Sequence, residues 1–387
     1  MKKVTILCSR LPYPPIGGAP AKNMNLIRGL SEKFDLDIVV ISETKPTQEA
    51  IEVLSRFGRL HIFHKPKWRM YLNLLFAIVY FPRPLQVSLY YFFEIESKIR
   101  KIISGSDAVL ATLVRTAPYV EKFDKPVIFD LADSIGLNYR SAKSNSASKL
   151  LRLYYAIESP LLLAYERKVI LSGSKSLFFS RKEMEFFQLP EKTKWIPHGV
   201  NENLFSYIDV DPVYENSICF LGKMDYQPNI DAVVWFCDCV LPLLDPKFDF
   251  YIIGTKPTQT VRDLAGDRVK ITGFLEDPFK LAKSCFAMVA PMRNGGGIQN
   301  KVLEGMALGC ANVVTTLAAA PIDGAVDQVH LSVADSPEEI AAAIHKLHAF
   351  PVIRTKMGIA ARELVMSKYS WDASLSEYVD VINKELK

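Results

Sequence analysis

Long hydrophobic runs are missing from this sequence of 387 residues. Its most apolar stretch, from Met70 to Phe81, is interrupted by Asn73 and is too short to span a bilayer, which takes about 20 apolar residues. The amino terminus has two lysines and then a five-residue apolar run, VTILC, which is shorter than the core of a secretory signal. We therefore expect a first strand at this terminus and a cytoplasmic protein.

Cysteine is also scarce, and its six copies show no metal-ligand spacing. Cys237 and Cys239 would point in different directions on a helix, so the expected state is buried free thiols in a reducing cytoplasm. The dinucleotide fingerprint GxGxxG is absent, which disfavours a dinucleotide site. Basic-aromatic RNA motifs and a helix-turn-helix signature are absent too, so we expect no nucleic-acid partner.

Charged residues are unevenly distributed between the two halves of the sequence. Residues 1–200 contain 30 Lys and Arg against 18 Asp and Glu, whereas residues 201–387 contain 17 against 24. A basic half joined to an acidic half indicates that the first half meets something anionic. An anionic membrane surface or a lipid phosphate fits this charge.

Short β-branched or apolar runs alternate with helical patterns, which is typical of parallel sheets covered by helices. Strand candidates in the first half are residues 4–9, 36–42, 60–63, 108–113, 126–131 and 176–180. The series restarts with 217–222, 250–254, 269–274, 287–291 and 312–316. Residues 194–212, which contain Pro197, Gly199 and Pro212, have no sustained periodicity and predict a linker. The fold class is therefore α/β, with two doubly wound domains.

Residues 67–93 combine an apolar run with aromatic and cationic borders. This combination suits a helix that lies in a membrane interface. The alternative is a core helix followed by a turn bounded by prolines. Both interpretations stay open at the level of sequence.

The most informative stretch is residues 291–316, PMRNGGGIQNKVLEGMALGCANVVTT. The run Gly295–Gly297 comes directly before a helical pattern that carries Asn300, Lys301 and Glu304 and stops at Gly309. A glycine-rich turn before a helix exposes unpaired N–H groups at the positive end of the helix dipole, which suits a phosphate. Lys301 adds a cation, and Glu304 can accept hydrogen bonds from sugar hydroxyls. The stretch predicts a nucleoside-diphosphate site.

Three other segments are candidate sites at the ends of predicted strands. Gly17 and Gly18 lie in a loop where backbone can approach a ligand, although an ordinary loop is the alternative. Lys223 follows a strand at the edge where doubly wound sheets bind ligands, or else is a solvated surface lysine. Asp130 and Asp133 could position an acceptor hydroxyl or serve as a base, while capping of the next segment is the alternative.

Together these residues resemble the GT-B glycosyltransferases of the retaining, family-4 type, and more closely the bacterial sugar transferases of exopolysaccharide biosynthesis systems. The segments that carry the resemblance are PYPPIGG, PRPLQVSLYY (82–91), DLADS (130–134), LAYERKV (163–169), PHGVN (197–201), MDYQPNIDAVVWF (224–236), TGFLEDP (272–278), GIQNKVLEGMA (297–307) and YSWDASL (369–375). They are spread over nearly the whole chain. The resemblance implies two Rossmann-like domains that face each other across a cleft, with residues 1–200 binding acceptor, 201–368 binding the nucleotide sugar, and 369–387 forming a helix on the first domain.

The resemblance also implies roles for single residues. Glu304 would hold the ribose, Lys223 and Lys301 would face the diphosphate, and the backbone of Gly273–Leu275 would meet the base. The full implied donor-binding set is Gly17, Gly18, Lys223, Gly273, Phe274, Leu275, Arg293, Gly297, Ile298, Gln299, Asn300, Lys301 and Glu304. The implied catalytic set is Asp130, Asp133, Lys223 and Lys301. Fixed cations and helix-terminus amides would neutralise the leaving diphosphate without a metal or other cofactor.

Three positions depart from the family pattern. Gly296 stands where family 4 has a glutamate eight positions before Glu304. The Arg–Lys pair that follows the first strand of the second domain in the family is changed as well, with Lys223 in place of Arg and Pro228 in place of Lys. Arg293 or Lys301 would supply the missing cation. The expected function is transfer of a sugar, with retention, from a nucleotide sugar to a lipid-linked or growing glycan acceptor in bacterial surface polysaccharide synthesis. A catalytically silent nucleotide-sugar-binding partner and a GT-B nucleotide-sugar epimerase are the alternatives.

Overall fold

The computed structural model describes residues 1–15, 18–80, 83–121, 123–145, 149–294 and 297–387. These residues form two compact units. The first unit comprises Met1–His198 together with Ser374–Lys387, and the second comprises Gly199–Ala373. Each is an α/β unit built on its own parallel sheet.

The first unit contains a parallel sheet of seven strands among the described residues. These strands are β1 (Lys3–Cys8), β2 (Asp35–Ser42), β3 (Arg59–His64), β4 (Ala108–Thr112), β5 (Val127–Ala132), β6 (Lys175–Phe178) and β7 (Thr193–Trp195). Their order is β3-β2-β1-β4-β5-β6-β7, so the chain turns back at the boundary between β1 and β4. This order is doubly wound, and its strand order reverses where such sheets bind ligands.

Helices cover both faces of this sheet, which explains why its strands are almost continuously apolar. Leu7 and Val39 belong to one buried cluster, while Ile6 and Val40 belong to the cluster on the other face. The helices of the unit are α1 (Gly18–Ser31), α2 (Gln48–Ser55), α3 (Lys67–Tyr80), α4 (Leu85–Ser88), α5 (Phe93–Ser104), α6 (Ala117–Val120), α7 (Ile135–Asn145), α8 (Lys149–Ser172) and α9 (Arg181–Phe186).

The second unit repeats the plan with a six-stranded parallel sheet in the order β10-β9-β8-β11-β12-β13. Its strands are β8 (Ser217–Leu221), β9 (Asp249–Ile253), β10 (Val269–Gly273), β11 (Ala287–Ala290), β12 (Asn312–Val314) and β13 (Ser332–Val333). Its helices are α10 (Gln227–Trp235), α11 (Gln259–Arg262), α12 (Pro278–Ser284), α13 (Asn300–Ala307), α14 (Thr316–Ala319), α15 (Pro337–Ala349) and α16 (Pro351–Tyr369). The strand order reverses between β8 and β11.

The last helix, α17 (Trp371–Glu385), returns the chain to the first unit. Its apolar side chains Tyr378, Val381 and Ile382 are buried in the same cluster as Ile6 of β1. The Oγ of Ser374 donates to the carbonyl of Pro197 over 2.7 Å. The carboxyl-terminal residues are therefore part of the core of the first unit.

The predicted fold class is confirmed, because both units are parallel-sheet α/β structures. Every predicted strand overlaps an observed one. The sequence missed β7 and β13, and it assigned Lys194 and Trp195 to a linker. In the structure these two residues pair with Leu177 and Phe178 at the edge of the first sheet.

Residues 67–80 of the segment with two interpretations form α3. Met70 is buried, whereas Trp68, Tyr71 and Leu75 are each at least 60% exposed. Asn73, which interrupts the apolar run, donates through its side chain to the carbonyl of Tyr91 over 2.6 Å. One side of the helix is thus attached to the unit and the other carries exposed apolar residues.

Candidate functional site

The clearest site in the second unit lies at the point where the strand order reverses. The ammonium group of Lys301 lies 5.2 Å from the ring centroid of Phe220 on β8 and 3.7 Å from the sulfur of Met292, which follows β11. The carboxyl ends of β8 and β11 are neighbours in the sheet. Lys301 therefore occupies the crevice in which doubly wound sheets bind ligands.

The turn before α13 is open to a ligand at the residues that the structure describes. Gly297 has φ +73, and a side chain added there would meet nothing within 4 Å. Gln299 occupies the N-cap position of α13, and its side chain makes no capping hydrogen bond. The first N–H groups of the helix therefore have no side-chain acceptor at the cap and can donate to a ligand. Ile298 is partly buried and Asn300 is exposed. Gly295 and Gly296 lie outside the described residues.

Lys301 and Glu304 are three residues apart on α13 and therefore share one face. Desolvation lowers the pKa of Lys301 to about 8, and the charge of Glu304 partly offsets this shift. Desolvation raises the pKa of Glu304 to about 7, and Lys301 partly offsets that shift in turn. Among the described residues, the Glu304 carboxylate accepts no hydrogen bond, so both of its oxygens are available to a ligand.

Lys223 follows β8 at the same edge of the sheet. Its side chain is 65% exposed, and its ammonium group lies 3.9 Å from Asp225. The backbone here is tightly packed, since a Cβ at Gly254 would lie 1.7 Å from the carbonyl oxygen of Gly222. The structure thus places an exposed cation beyond a tightly packed strand end.

Asn229 was not singled out from the sequence, although it lies in this site. Its side chain is buried, and its Nδ2 donates to the carbonyl of Lys223 over 2.8 Å. Its Oδ1 accepts no hydrogen bond from the described residues. The motif QPNID gave its position, but the sequence did not show that the side chain turns back to hold the end of β8.

Gly273 is the last residue of β10, and Phe274 and Leu275 follow it. This strand lies two strands from β8 in the sheet order. Neighbouring strands lie about 4.8 Å apart, so this segment is on the order of 10 Å along the sheet edge from the end of β8. Gly273 has φ +66 and open space at its Cβ position, and Phe274 is 76% exposed. Such a separation suits a nucleotide whose base and diphosphate contact different strands.

Arg293 lies beside α10, where its guanidinium is 5.0 Å from the ring centroid of Trp235. The next residue, Asn294, donates to Asp231 over 2.6 Å. A groove of about 460 Å³ runs along this helix. It is lined by Gln227, Ile230, Asp231, Val234, Trp235, Asp238, Thr258 and Thr260. Arg293 thus contacts α10, while Lys301 contacts β8.

The predicted residues of the first unit are also at a strand edge. Gly18 is the first residue of α1, and Gly17 lies outside the described residues. Asp130 is fully buried on β5 and forms an ion pair with Lys22 of α1. Asp133 is exposed just beyond the strand. The buried pair connects α1 to the sheet, and only Asp133 of the two aspartates is open to solvent.

Two glutamates that the sequence did not single out hold the start of α7. Glu166 accepts from the Oγ of Ser134 over 2.6 Å and from the N–H of Gly136 over 3.2 Å. Glu183 accepts from the N–H of Ser134 over 2.6 Å. Desolvation raises the pKa of each carboxyl to about 7. The segment LAYERKV contains Glu166, which was the available signal.

Solved structures share this fold over their full length. Sucrose-phosphate synthase from Thermosynechococcus elongatus is 14% identical, with a TM-score of 0.67 and 99% of each chain covered. Anabaena HepE in complex with UDP is 14% identical, with a TM-score of 0.66 over 99% of this chain and 100% of that chain. A glycosyltransferase from Rickettsia africae is 14% identical, with a TM-score of 0.66 over 100% and 99% of the two chains. The likeness shows that the two Rossmann-like units match GT-B glycosyltransferase structures.

A comparison with protein-family models concerns the second unit. Residues 215–349 match the family model described as glycosyl transferases group 1. The matched range contains Lys223, Gly273, Lys301 and Glu304. No curated protein matches the chain. The family-model match and the fold support the prediction of a hexosyltransferase-type glycosyltransferase.

Proposed function

We propose that this chain transfers a sugar from a nucleotide-sugar donor to a lipid-linked or growing glycan acceptor, with retention of anomeric configuration. The proposed setting is bacterial surface polysaccharide synthesis at the cytoplasmic face of the membrane. The second unit binds the donor, and the first unit binds the acceptor. No metal or other cofactor takes part in this proposal.

The observation that carries the proposal is the Lys301–Glu304 pair at the strand-order reversal of the second unit. A cation, an open glycine turn and free helix N–H groups suit a diphosphate. A carboxylate without a hydrogen-bond partner among the described residues suits the hydroxyls of a ribose. The UDP complex of HepE supports a nucleoside diphosphate as the ligand of such a fold.

The chemistry requires stabilisation of a leaving diphosphate. Negative charge develops on the phosphate oxygens as the bond to the anomeric carbon breaks, and fixed donors aimed at that charge lower the barrier. Lys301 and Lys223 supply cations, and the first turn of α13 supplies N–H groups. Asp133, exposed at the end of β5, orients the acceptor hydroxyl in the proposed reaction, and the buried Asp130 supports that edge through Lys22.

The surface of the first unit suits the proposed acceptor. Residues 1–200 carry an excess of Lys and Arg, and α3 exposes Trp68, Tyr71 and Leu75. Basic and apolar surface together favour a lipid-bearing, anionic acceptor. No helix among the described residues has the length and hydrophobicity to cross a bilayer.

The first experiment is a screen of nucleotide sugars for thermal stabilisation, because a ligand that binds the native state raises the melting temperature. Donors that stabilise the protein are then tested for nucleoside-diphosphate release with lipid extracts as acceptor. Glu304→Ala and Lys301→Ala should each lower turnover by at least about a hundredfold. The matched controls Glu338→Ala and Lys356→Ala replace exposed residues of α15 and α16 and should keep wild-type turnover.

The outcomes separate the alternatives. Binding without diphosphate release for any donor and extract would favour a silent binding partner. Release of nucleotide without any acceptor would favour an epimerase. Wild-type turnover in both site variants would refute the site. Retention is read from the anomeric configuration of the transferred sugar, determined by NMR.

A further inference from the structure

The helical pair α7–α8 contains a charge pattern that the donor site does not use. From Ser134 to Ile157 the sequence has no Asp or Glu, but it has Arg140, Lys143, Lys149 and Arg152. All four basic residues are exposed, and among the described residues none of them forms a salt bridge. Exposed cations without a salt-bridge partner on one helical pair indicate an anionic partner.

An apolar stripe lies along α8 of this basic helical pair. Leu150, Leu153, Ile157 and Leu161 are spaced by three or four residues, which places them on one face of the helix. They are 76%, 59%, 58% and 51% exposed. The stripe covers about 17 Å of helix at 1.5 Å per residue. Contiguous exposed apolar surface of this kind is uncommon on monomeric proteins and marks interaction sites.

The pair is packed firmly enough to present this face. A Cβ at Gly136 of α7 would lie 2.7 Å from the side chain of Leu163, so the two helices touch closely there. The Oγ of Ser159 donates to the carbonyl of Gly136 over 2.9 Å. Tyr139 packs against Tyr155 with ring centroids 4.9 Å apart. The opposite face of α8 is buried in the unit, through residues such as Leu162 and Val169.

We propose that the α7–α8 pair is a docking surface for an anionic lipid membrane. The apolar stripe of α8 inserts at the level where head groups meet acyl chains, and Arg140, Lys143, Lys149 and Arg152 contact lipid phosphates. An exposed apolar stripe in a segment that has basic but no acidic residues from Ser134 to Ile157 is typical of an interfacial helix. Each Lys or Arg near such a surface adds to the attraction. This inference rests on the proposed lipid-linked acceptor, and it names a second surface beyond α3.

The location fits that role. The N–H of Gln86 on α4 donates to Glu158 of α8 over 2.9 Å, and α4 also packs against α3. Helices α3 and α8, which both expose several apolar residues, are therefore both neighbours of α4. A protein bound through α8 would hold the first unit, with its proposed acceptor site, at the membrane.

The test is co-sedimentation of the full-length protein with phosphatidylcholine vesicles that contain or lack phosphatidylglycerol. The wild type should bind the anionic vesicles and lose most binding at high salt. Leu150→Glu with Ile157→Glu should reduce binding by at least about tenfold, since two inserted apolar side chains become charged. Arg140→Gln with Lys149→Gln should reduce binding to the vesicles that contain phosphatidylglycerol but not binding to those that lack it. Val213→Glu with Val352→Glu, at equally exposed apolar positions of the second unit, is the matched control and should bind as wild type.

Three results with the variants or in light scattering would overturn the inference. One is wild-type vesicle binding by both α8 and basic variants. Another is loss of binding only in Trp68→Glu, which would assign the contact to α3 alone. The third is a concentration-dependent dimer in light scattering that Leu150→Glu with Ile157→Glu dissolves, which would assign the stripe to a second copy of this chain. Thermal stabilisation by nucleotide sugars is measured in parallel. Vesicle binding without any donor binding leaves the docking surface standing and refutes the proposed function. Donor turnover without vesicle binding refutes the docking surface and leaves the proposed function standing.

Discussion

Lys301 and Glu304 have opposite pKa shifts, which makes donor affinity depend on pH. Glu304 needs to lose its proton to accept strong hydrogen bonds from two hydroxyl groups, and its pKa is raised to about 7. Lys301 needs to keep its proton to attract phosphate, and its pKa is lowered to about 8. We expect UDP affinity to be highest between about pH 7 and pH 8, with a decline of several-fold per pH unit on either side, measured by calorimetry.

Single variants separate the two limbs of that profile. Glu304→Gln should remove the part of the acid limb that belongs to the protein, because the amide does not titrate. Lys301→Arg should move the alkaline limb upward, because a guanidinium stays protonated. The titration of UDP itself is common to all three proteins. Identical profiles for wild type and Glu304→Gln would show that Glu304 does not contact the ligand.

Glu166 gives a second prediction at the scale of residues, on stability. Burial raises its pKa to about 7 in the folded protein, from 4.5. Between these two pH values the folded state holds a proton that the unfolded state has released, so rising pH favours unfolding. Relative to Glu166→Gln, the wild type should therefore lose on the order of 1–3 kcal/mol of unfolding free energy from pH 4 to pH 8. Denaturant titrations at both pH values measure this difference.

An exposed neighbour provides the control. Glu185 on α9 is exposed, so Glu185→Gln should leave the pH dependence of the unfolding free energy unchanged. A flat difference between wild type and Glu166→Gln would mean that the Glu166 carboxyl ionises as readily in the folded as in the unfolded chain.

The pairing of residues across the chain was the part of the site that the sequence could not supply. FDLADS indicated two aspartates at a strand end, and the structure separates them into a buried one and an exposed one. Lys22, the partner of Asp130, is distant in sequence, and no local pattern links the two. Lys301 and Glu304 were predictable because their relation is local, three positions apart on one helix.

At the scale of elements, α13 depends on a close approach of α16. A Cβ at Gly358 of α16 would lie 2.0 Å from the carbonyl oxygen of Gly309, which follows α13. Gly358→Ala must therefore separate the two helices, at a cost of about 2 kcal/mol or more. We expect a lower melting temperature by calorimetry. Gly266→Ala is the matched control, because its Cβ would meet nothing within 4 Å. Equal melting temperatures for the two variants would contradict the packing.

Elements with strong periodicity were predictable, and short edge strands were not. The buried strands β1, β2 and β8 are apolar runs between turns, so their existence and order along the chain followed from the sequence. Strands β7 and β13 have three and two residues and lie at sheet edges. Their pairing is set by the neighbouring strand rather than by a pattern of their own.

At the scale of the whole molecule, the two ends of the chain meet in one core. Ile382 of α17 is fully buried in the cluster that contains Ile6 of β1. The carboxyl-terminal helix is therefore needed for the apolar face of the first sheet, although most of the chain separates the two segments. The stability of the first unit should depend on this last helix.

Ile382→Ala tests this dependence. Truncation of a fully buried isoleucine leaves a cavity and costs about 2–5 kcal/mol of unfolding free energy. Because the lost contacts are those of the first sheet, amide protection in β1 should fall in hydrogen exchange. Asn383→Ala, at the next and exposed position of the same helix, should leave both the free energy and the protection unchanged. If Ile382→Ala lowered protection in β8 but not in β1, the assignment of the last helix to the core of the first unit would be wrong.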